Sequence, residues 1–252
     1  MSGHSKWTQI KRQKGVTDKK KGQAFTKIAK AITIAVKQGG GGDPAQNFRL
    51  RLAIEQARAI NTPKENIERA IEKGMGKNDG GGLEEIVYEA FGPSGIAIII
   101  EATTDNKQRT TPEVKSILEK NGGTLAAPGA VSYQFEQKGL ITVKKDSPPA
   151  GGSLDDIFLL AADAGAEDVE EAGEDVLIYT RPDQLSLVRD MLVKNNLNVE
   201  DIEITRKPKI TIPITDKESA RKILALVEKL EELEDVQRVY ANFDIPDEFL
   251  TI

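Results

Sequence analysis

The apolar residues of this chain keep a helical period through roughly the first 75 positions. From residue 83 onward they change to alternating strand and helix runs. That switch rules out a single-layer fold and divides the chain into an all-helical part and an α+β part. In the first part, Phe25, Ile28, Ala29, Ile32, Ala35 and Val36 recur at helical spacing, and Gly39-Gly40-Gly41-Gly42 closes that helix. Asp43-Pro44-Ala45-Gln46 reads as an N-cap, a proline at the first helical position and a capping-box Gln. Leu50, Ala53, Ile54, Ala57 and Ile60 supply the stripe that follows. Thr62-Pro63-Lys64-Glu65 repeats the start signal, with Ile67, Ala70 and Ile71 facing inward and Gly74 as the stop. Three short-linked helices of this kind predict a three-helix bundle-like domain.

The α+β part shows two nested patterns. Strands are predicted over 95–102, 131–136, 210–214 and 236–243, with helices starting at Thr111-Pro112 and running over 219–233. Between them, 140–143, 154–164, 169–171, 176–179, 182–195 and 199–205 read strand-helix-strand-strand-helix-strand. That order is a complete ferredoxin-like unit. The expected organisation is therefore a basic helical nucleic-acid-binding domain at 1–77 and a discontinuous α+β domain at 83–137 plus 209–252. A ferredoxin-like α+β domain at 138–208 is inserted in the latter, whose strand-helix-strand, interrupted and then resumed as strand-helix-strand, reads as a second, split ferredoxin-like unit. The fold class is multidomain α and α+β.

Charge is distributed as unevenly as hydrophobicity. Residues 1–77 hold 17 Lys and Arg against 6 Asp and Glu, a formal excess of 11 positive charges. The remainder holds 18 basic against 34 acidic residues, an excess of 16 negative charges. A whole-chain charge of −5 conceals this asymmetry, which points to a polyanionic partner at one end. The cations concentrate in the arm: Lys6, Lys11, Arg12, Lys14, Lys19, Lys20 and Lys21 against Asp18 alone, with Trp7 among them. Lys and Arg neutralise phosphates and release condensed counterions. Trp7 could stack on a base or sugar, or tuck against the bundle. Lys27, Lys30, Arg49, Arg51, Arg58, Lys64, Arg69 and Lys73 could extend one surface.

Other chemistries find little support. With no cysteine, disulfides, zinc-thiolate sites and thiol catalysis are excluded, and a cytoplasmic protein is expected. No apolar run reaches membrane-span length, and no secretory signal is visible. His4 is the only histidine and lacks an orienting carboxylate, so no catalytic residue is assigned. The glycine run before Asp43-Pro44 follows a helix and lacks the phosphate-loop spacing. The acidic stretch from Glu167 to Asp175 lacks calcium-loop spacing and reads as a solvated strand-turn-strand with acidic flanks. No cofactor, metal or small-molecule substrate is expected, and the acidic α+β domains fit a protein partner. The polar stretch from Thr103 to Thr111 either meets phosphate through Lys107 and Arg109 or caps a helix.

Gly3-His4-Ser5-Lys6-Trp7 with Ile10-Lys11 and Phe25-Thr26-Lys27 resembles the YebC family. The resemblance continues through Arg49-Leu50-Arg51-Leu52-Ala53-Ile54 and Asn66-Ile67-Glu68-Arg69-Ala70-Ile71. It includes Tyr88-Glu89, Gly92-Pro93, Thr104-Asp105-Asn106, Arg109-Thr110, Asn121-Gly122-Gly123 and Val131-Ser132-Tyr133. Asp235-Val236-Gln237 and Tyr240-Ala241-Asn242-Phe243-Asp244 close it. It implies a helical domain plus two α+β domains and a role in gene expression. Members are usually described as probable DNA-binding transcriptional regulators of the cytoplasm. Similar proteins, a mitochondrial relative among them, are translation factors on the ribosome, so DNA and rRNA or tRNA both stand as expected partners.

Overall fold

A computed structural model describes residue 7 and residues 18–76, 82–146 and 153–250. The helical part holds α1 (Asp18–Gln38), α2 (Phe48–Ala59) and α3 (Lys64–Gly74). Their facing stripes meet in one apolar cluster of Ile32, Val36, Leu50, Ala53, Ala57, Ile67 and Ala70. Ile67 is 8% exposed, so Ile67→Ala is expected to cost about 2–5 kcal/mol in denaturant unfolding. A loss well below ~1 kcal/mol would mean that the site collapses without a cavity.

The second helix starts later than Asp43-Pro44 predicts. Residues 43–47 form a turn, with the Gln46 and Asn47 amides donating to the Asp43 carbonyl. Asn47 is the N-cap, its side-chain oxygen accepting from the Leu50 amide at 3.0 Å. Its side-chain nitrogen donates to the Ala35 and Gly41 carbonyls at 2.8 and 2.9 Å. One buried amide thus caps α2 and fastens the glycine loop to the end of α1. A Cβ on Gly39 would fall 2.3 Å from the Asn47 side chain, so a larger residue there would displace the cap. At α3 the cap position is Pro63 rather than Thr62, and no side chain caps it.

The first sheet runs β3-β1-β2-β9, from β1 (Glu84–Phe91), β2 (Ala97–Thr104), β3 (Thr124–Ala126) and β9 (Val236–Ala241). Every pairing in it is antiparallel. Central β2 is buried along its length except at Glu101, as its unbroken apolar run requires. Strand β1 escapes a hydrophobicity reading because Glu84, Glu85 and Glu89 interrupt it. Two helices complete this layer, α4 (Lys107–Lys120) and α7 (Lys217–Glu231). Helix α4 begins ahead of Thr111-Pro112, because Asn106 caps it by accepting from the Arg109 amide at 3.1 Å. The strand expected over 210–214 is reduced to β8 (Ile212–Pro213), paired in parallel with β10 (Phe243–Asp244). Pro213 has no N–H to extend that ladder.

Residues 131–136 are not one strand. A 3-10 turn at Ser132–Gln134 leads into β4 (Phe135–Lys144). The buried Glu89 carboxylate holds the approach, accepting from the Gly129, Val131 and Ser132 amides at 2.7, 2.6 and 2.8 Å. Burial opposes the ionisation of Glu89, but these backbone donors outweigh it and hold its carboxyl below the usual range. Glu89→Gln is expected to cost about 1.5–3 kcal/mol, because an amide accepts less strongly and places an N–H among donors. An unchanged denaturant midpoint would count against this.

The inserted segment carries β4, α5 (Leu154–Asp163), β5 (Asp168–Ala172), β6 (Asp175–Thr180), α6 (Leu185–Lys194) and β7 (Val199–Pro208). Its antiparallel sheet runs β5-β6-β4-β7. The strand-helix-strand-strand-helix-strand order read from the sequence is present. The chain forms two compact units. One contains Gln134–Thr211 together with Trp7; the other spans Val16–Tyr133 and Ile212–Ile252, so α1 to α3 group with the first sheet. A four-residue helix, α8 (Asp247–Leu250), ends the described chain. No helix among the described residues is long and apolar enough to cross a membrane.

Candidate nucleic-acid interface

Lys6, Lys11, Arg12 and Lys14 lie outside the described residues. Lys19, Lys20 and Lys21 fall in the first turns of α1, whose backbone is helical from Asp18. Trp7 is 7% exposed, and its indole N–H has no hydrogen-bond acceptor among the described residues.

Further along α1, the cations turn inward to the protein's own acceptors. Lys27 donates to the Glu231 carbonyl. Lys30 donates to Asp235 at 2.7 Å and to the Glu234 side chain at 3.2 Å. On α2, Arg49 reaches Gln38 at 2.7 Å and pairs with Glu85. The Arg51 guanidinium sits 5.4 Å from the Phe48 ring centroid. On α3, Lys64 pairs with Glu68 at 3.3 Å, while Arg69 and Lys73 are exposed. Glu65, Glu68 and Glu72 are interleaved with these three cations, so α3 carries as many acids as bases. Positive charge is therefore concentrated at the start of α1 and in the residues before it.

The polar centre of the larger unit is Asp235, a residue the sequence reading did not single out as a site. It lies between α7 and β9 and is 3% exposed. One carboxylate oxygen accepts from Lys30 at 2.7 Å. The other accepts from Arg109 at 2.8 Å, Thr110 at 2.6 Å and Thr104 at 3.1 Å. The Asp235 carbonyl also accepts from the Thr103 amide at 2.8 Å. Burial works against its charge, yet the bonds from Arg109, Lys30 and Thr110 prevail and hold the carboxyl well below the usual carboxylate range. One side chain thereby joins α1, β2, α4 and the turn before β9. Arg109 and Asn106 serve this network and the cap of α4, which accounts for the polar stretch from Thr103 to Thr111. Among the described residues, no cluster of three or more His, Cys, Asp or Glu is placed to hold a metal ion.

Residues 5–77 match the family model described as the TACO1/YebC protein N-terminal domain, and residues 83–243 match that of the TACO1/YebC second and third domain. The chain belongs to the TACO1/YebC family. A probable transcriptional regulatory protein of Chloroflexus aurantiacus is 51% identical over 250 residues, covering 99% of this chain and 98% of the relative. One from Syntrophomonas wolfei is 46% identical, covering 99% of each. The crystal structure of a conserved hypothetical protein from Aquifex aeolicus superposes with a TM-score of 0.84 at 46% identity. It covers 93% of this chain and 95% of that one. Within this TACO1/YebC chain, the motif residues Thr104, Arg109, Thr110 and Asp235 meet at one carboxylate. Glu89 binds the loop that holds Val131 and Ser132, and Asn242 accepts from the Ala97 amide at 2.7 Å. These motif residues make the fold's internal clamps.

Proposed function

We propose that this TACO1/YebC protein is a non-enzymatic, cytoplasmic nucleic-acid-binding regulator of gene expression. It contacts phosphates through its basic N-terminal segment, with Lys19, Lys20 and Lys21 and the arm cations foremost. The observation that carries this reading is the charge segregation, 17 basic against 6 acidic residues in 1–77 and the reverse excess beyond. The names of the relatives, probable transcriptional regulatory proteins, favour DNA as the polyanion. The inserted unit is taken as ferredoxin-like from its strand order, and its acidic character suits contact with protein rather than phosphate.

A second reading is favoured by helix α3. A duplex-reading helix enters the major groove with several base-contacting side chains on an otherwise phosphate-compatible face. The exposed face of α3 alternates acids with bases and offers no such surface. Recognition by charge and shape, as on ribosomal RNA, fits that balance. Competition between duplex DNA of mixed sequence and purified ribosomes for the full-length protein separates the two. A DNA affinity that depends on sequence at ~150 mM salt supports the first reading. Retained ribosome binding beside DNA binding that collapses with salt supports the second. Failure to bind either polyanion would remove both.

A further inference from the structure

The inserted unit has a sheet face that its own helices leave open. Gly139 of β4 lies against α6, where an added Cβ would stand 3.0 Å from the Leu185 Cβ. Side chains alternate along a strand, so Ile141 and Val143 share the helix side, and Leu140 and Thr142 face away. The ladder carries that alternation across the sheet: Leu140 stands opposite Tyr179, Thr142 opposite Leu177, and Ala172 opposite Asp175. Yet Leu140, Leu177, Tyr179 and Ala172 are only 6%, 1%, 1% and 2% exposed, and they form a cluster of their own. Lys207 of β7 lies over the Tyr179 ring, 3.9 Å from its centroid, while α6, which packs on β4 and β7, lies on the Gly139 side and leaves the rest of this face to another cover. Trp7 belongs to the same compact unit and is itself buried.

We propose that Trp7 seats its indole on the Leu140–Leu177–Tyr179 face, making this sheet a dock for the chain's own N-terminal segment, and that nucleic acid displaces it. The charges agree. Asp168, Glu170, Asp175, Asp201 and Glu203 stand on this face by register, Lys144 pairing with Asp175 and Lys207 with Asp168 and Glu170. Lys6 precedes Trp7 directly, and Lys11, Arg12 and Lys14 follow it within seven residues. A segment that binds phosphates also suits a surface rich in carboxylates, and it cannot serve both partners at once. The acidic unit then restrains the basic arm, and binding includes the cost of unseating Trp7. This inference rests on the phosphate-binding role of the arm proposed above.

Trp7 is the chain's single tryptophan, so its fluorescence reports on the seat directly. In the full-length protein without ligand, acrylamide quenching is expected to be several-fold weaker than for free N-acetyltryptophanamide. It should rise toward that value with saturating duplex DNA or ribosomal RNA. The absence of native cysteine permits a second test with Thr8→Cys and Glu170→Cys combined, which keeps Trp7 and Leu177 in place. A short bismaleimide should join the two thiols within one chain, and nucleic acid should suppress the product. Trp7→Ala should bind the same nucleic acid several-fold more tightly, whereas a stacking role for Trp7 requires weaker binding. Quenching equal to that of the free indole, or a folded double variant that does not crosslink, would overturn the seat. Nucleic-acid binding that leaves quenching unchanged would overturn the displacement. If neither polyanion binds at all, the displacement and the proposed function fall together, while quenching and crosslinking still judge the seat.

Discussion

Asp235→Ala is expected to destabilise the protein by about 3–5 kcal/mol, the usual loss when one partner of a buried ion pair is removed. The variant leaves the Lys30 ammonium, 16% exposed, with Glu234 at 3.2 Å but without the Asp235 carboxylate at 2.7 Å. The Thr104 hydroxyl loses its carboxylate acceptor, while Thr110 keeps the Asn106 carbonyl at 3.1 Å. Arg109 loses less, since its side chain is 47% exposed and keeps Asp105 at 3.1 Å. Because the carboxylate joins α1 to the first sheet, guanidinium unfolding is the appropriate measurement. The acid dependence has a definite sign. The folded-state carboxyl lies below its unfolded value of about 3.9, so its stabilisation is complete at neutral pH. It is lost as pH falls through the unfolded value toward the folded one. Glu89 is shifted in the same direction and adds to this loss. Asp235→Asn should therefore be less stable at pH 7 and show a shallower fall in stability on acidification below about pH 4. Equal acid sensitivity in the variant and the parent would contradict the assignment.

Replacing Lys19, Lys20 and Lys21 together with alanine is expected to affect binding far more than folding. If each lysine neutralises one phosphate, the triple variant loses roughly 2–3 units of salt slope. At about 0.15 M salt that corresponds to a roughly 50- to 150-fold weaker affinity. Alanine is also the strongest helix former, so the first turns of α1 should tolerate the change. Stability is expected to remain within about 1 kcal/mol of the parent. An unchanged affinity at matched salt would exclude these lysines from the interface.

Much of the architecture was legible locally, and the misses have physical causes. The stripes of α1, α2 and α3 and the order of the inserted unit follow from apolar spacing, which the backbone obeys wherever one face is buried. Strand β1 was missed because Glu89 is a buried acid with a structural task, in a position where a pattern reading expects an apolar residue. The start of α2 was misplaced because two caps were available, and Asn47 prevails by also reaching the Ala35 and Gly41 carbonyls. The candidate site was less legible still. Lys30 reads as a free cation until the fold brings it to Asp235, 205 residues away in sequence. The motif residues around Thr104, Arg109 and Asp235 marked the place, but only the assembled fold reveals that they share one carboxylate. Trp7, read among the arm cations as either a stacking or a packed side chain, is buried in the unit that holds the inserted sheet.

The central claim, that the basic N-terminal segment binds phosphates, is tested most directly by the salt dependence of the full-length protein's binding to duplex DNA and to purified ribosomes. Binding to at least one of them is expected, with log Kobs falling linearly against log salt at a slope of several units. A flat salt dependence, or no binding to either at low salt, would contradict the claim.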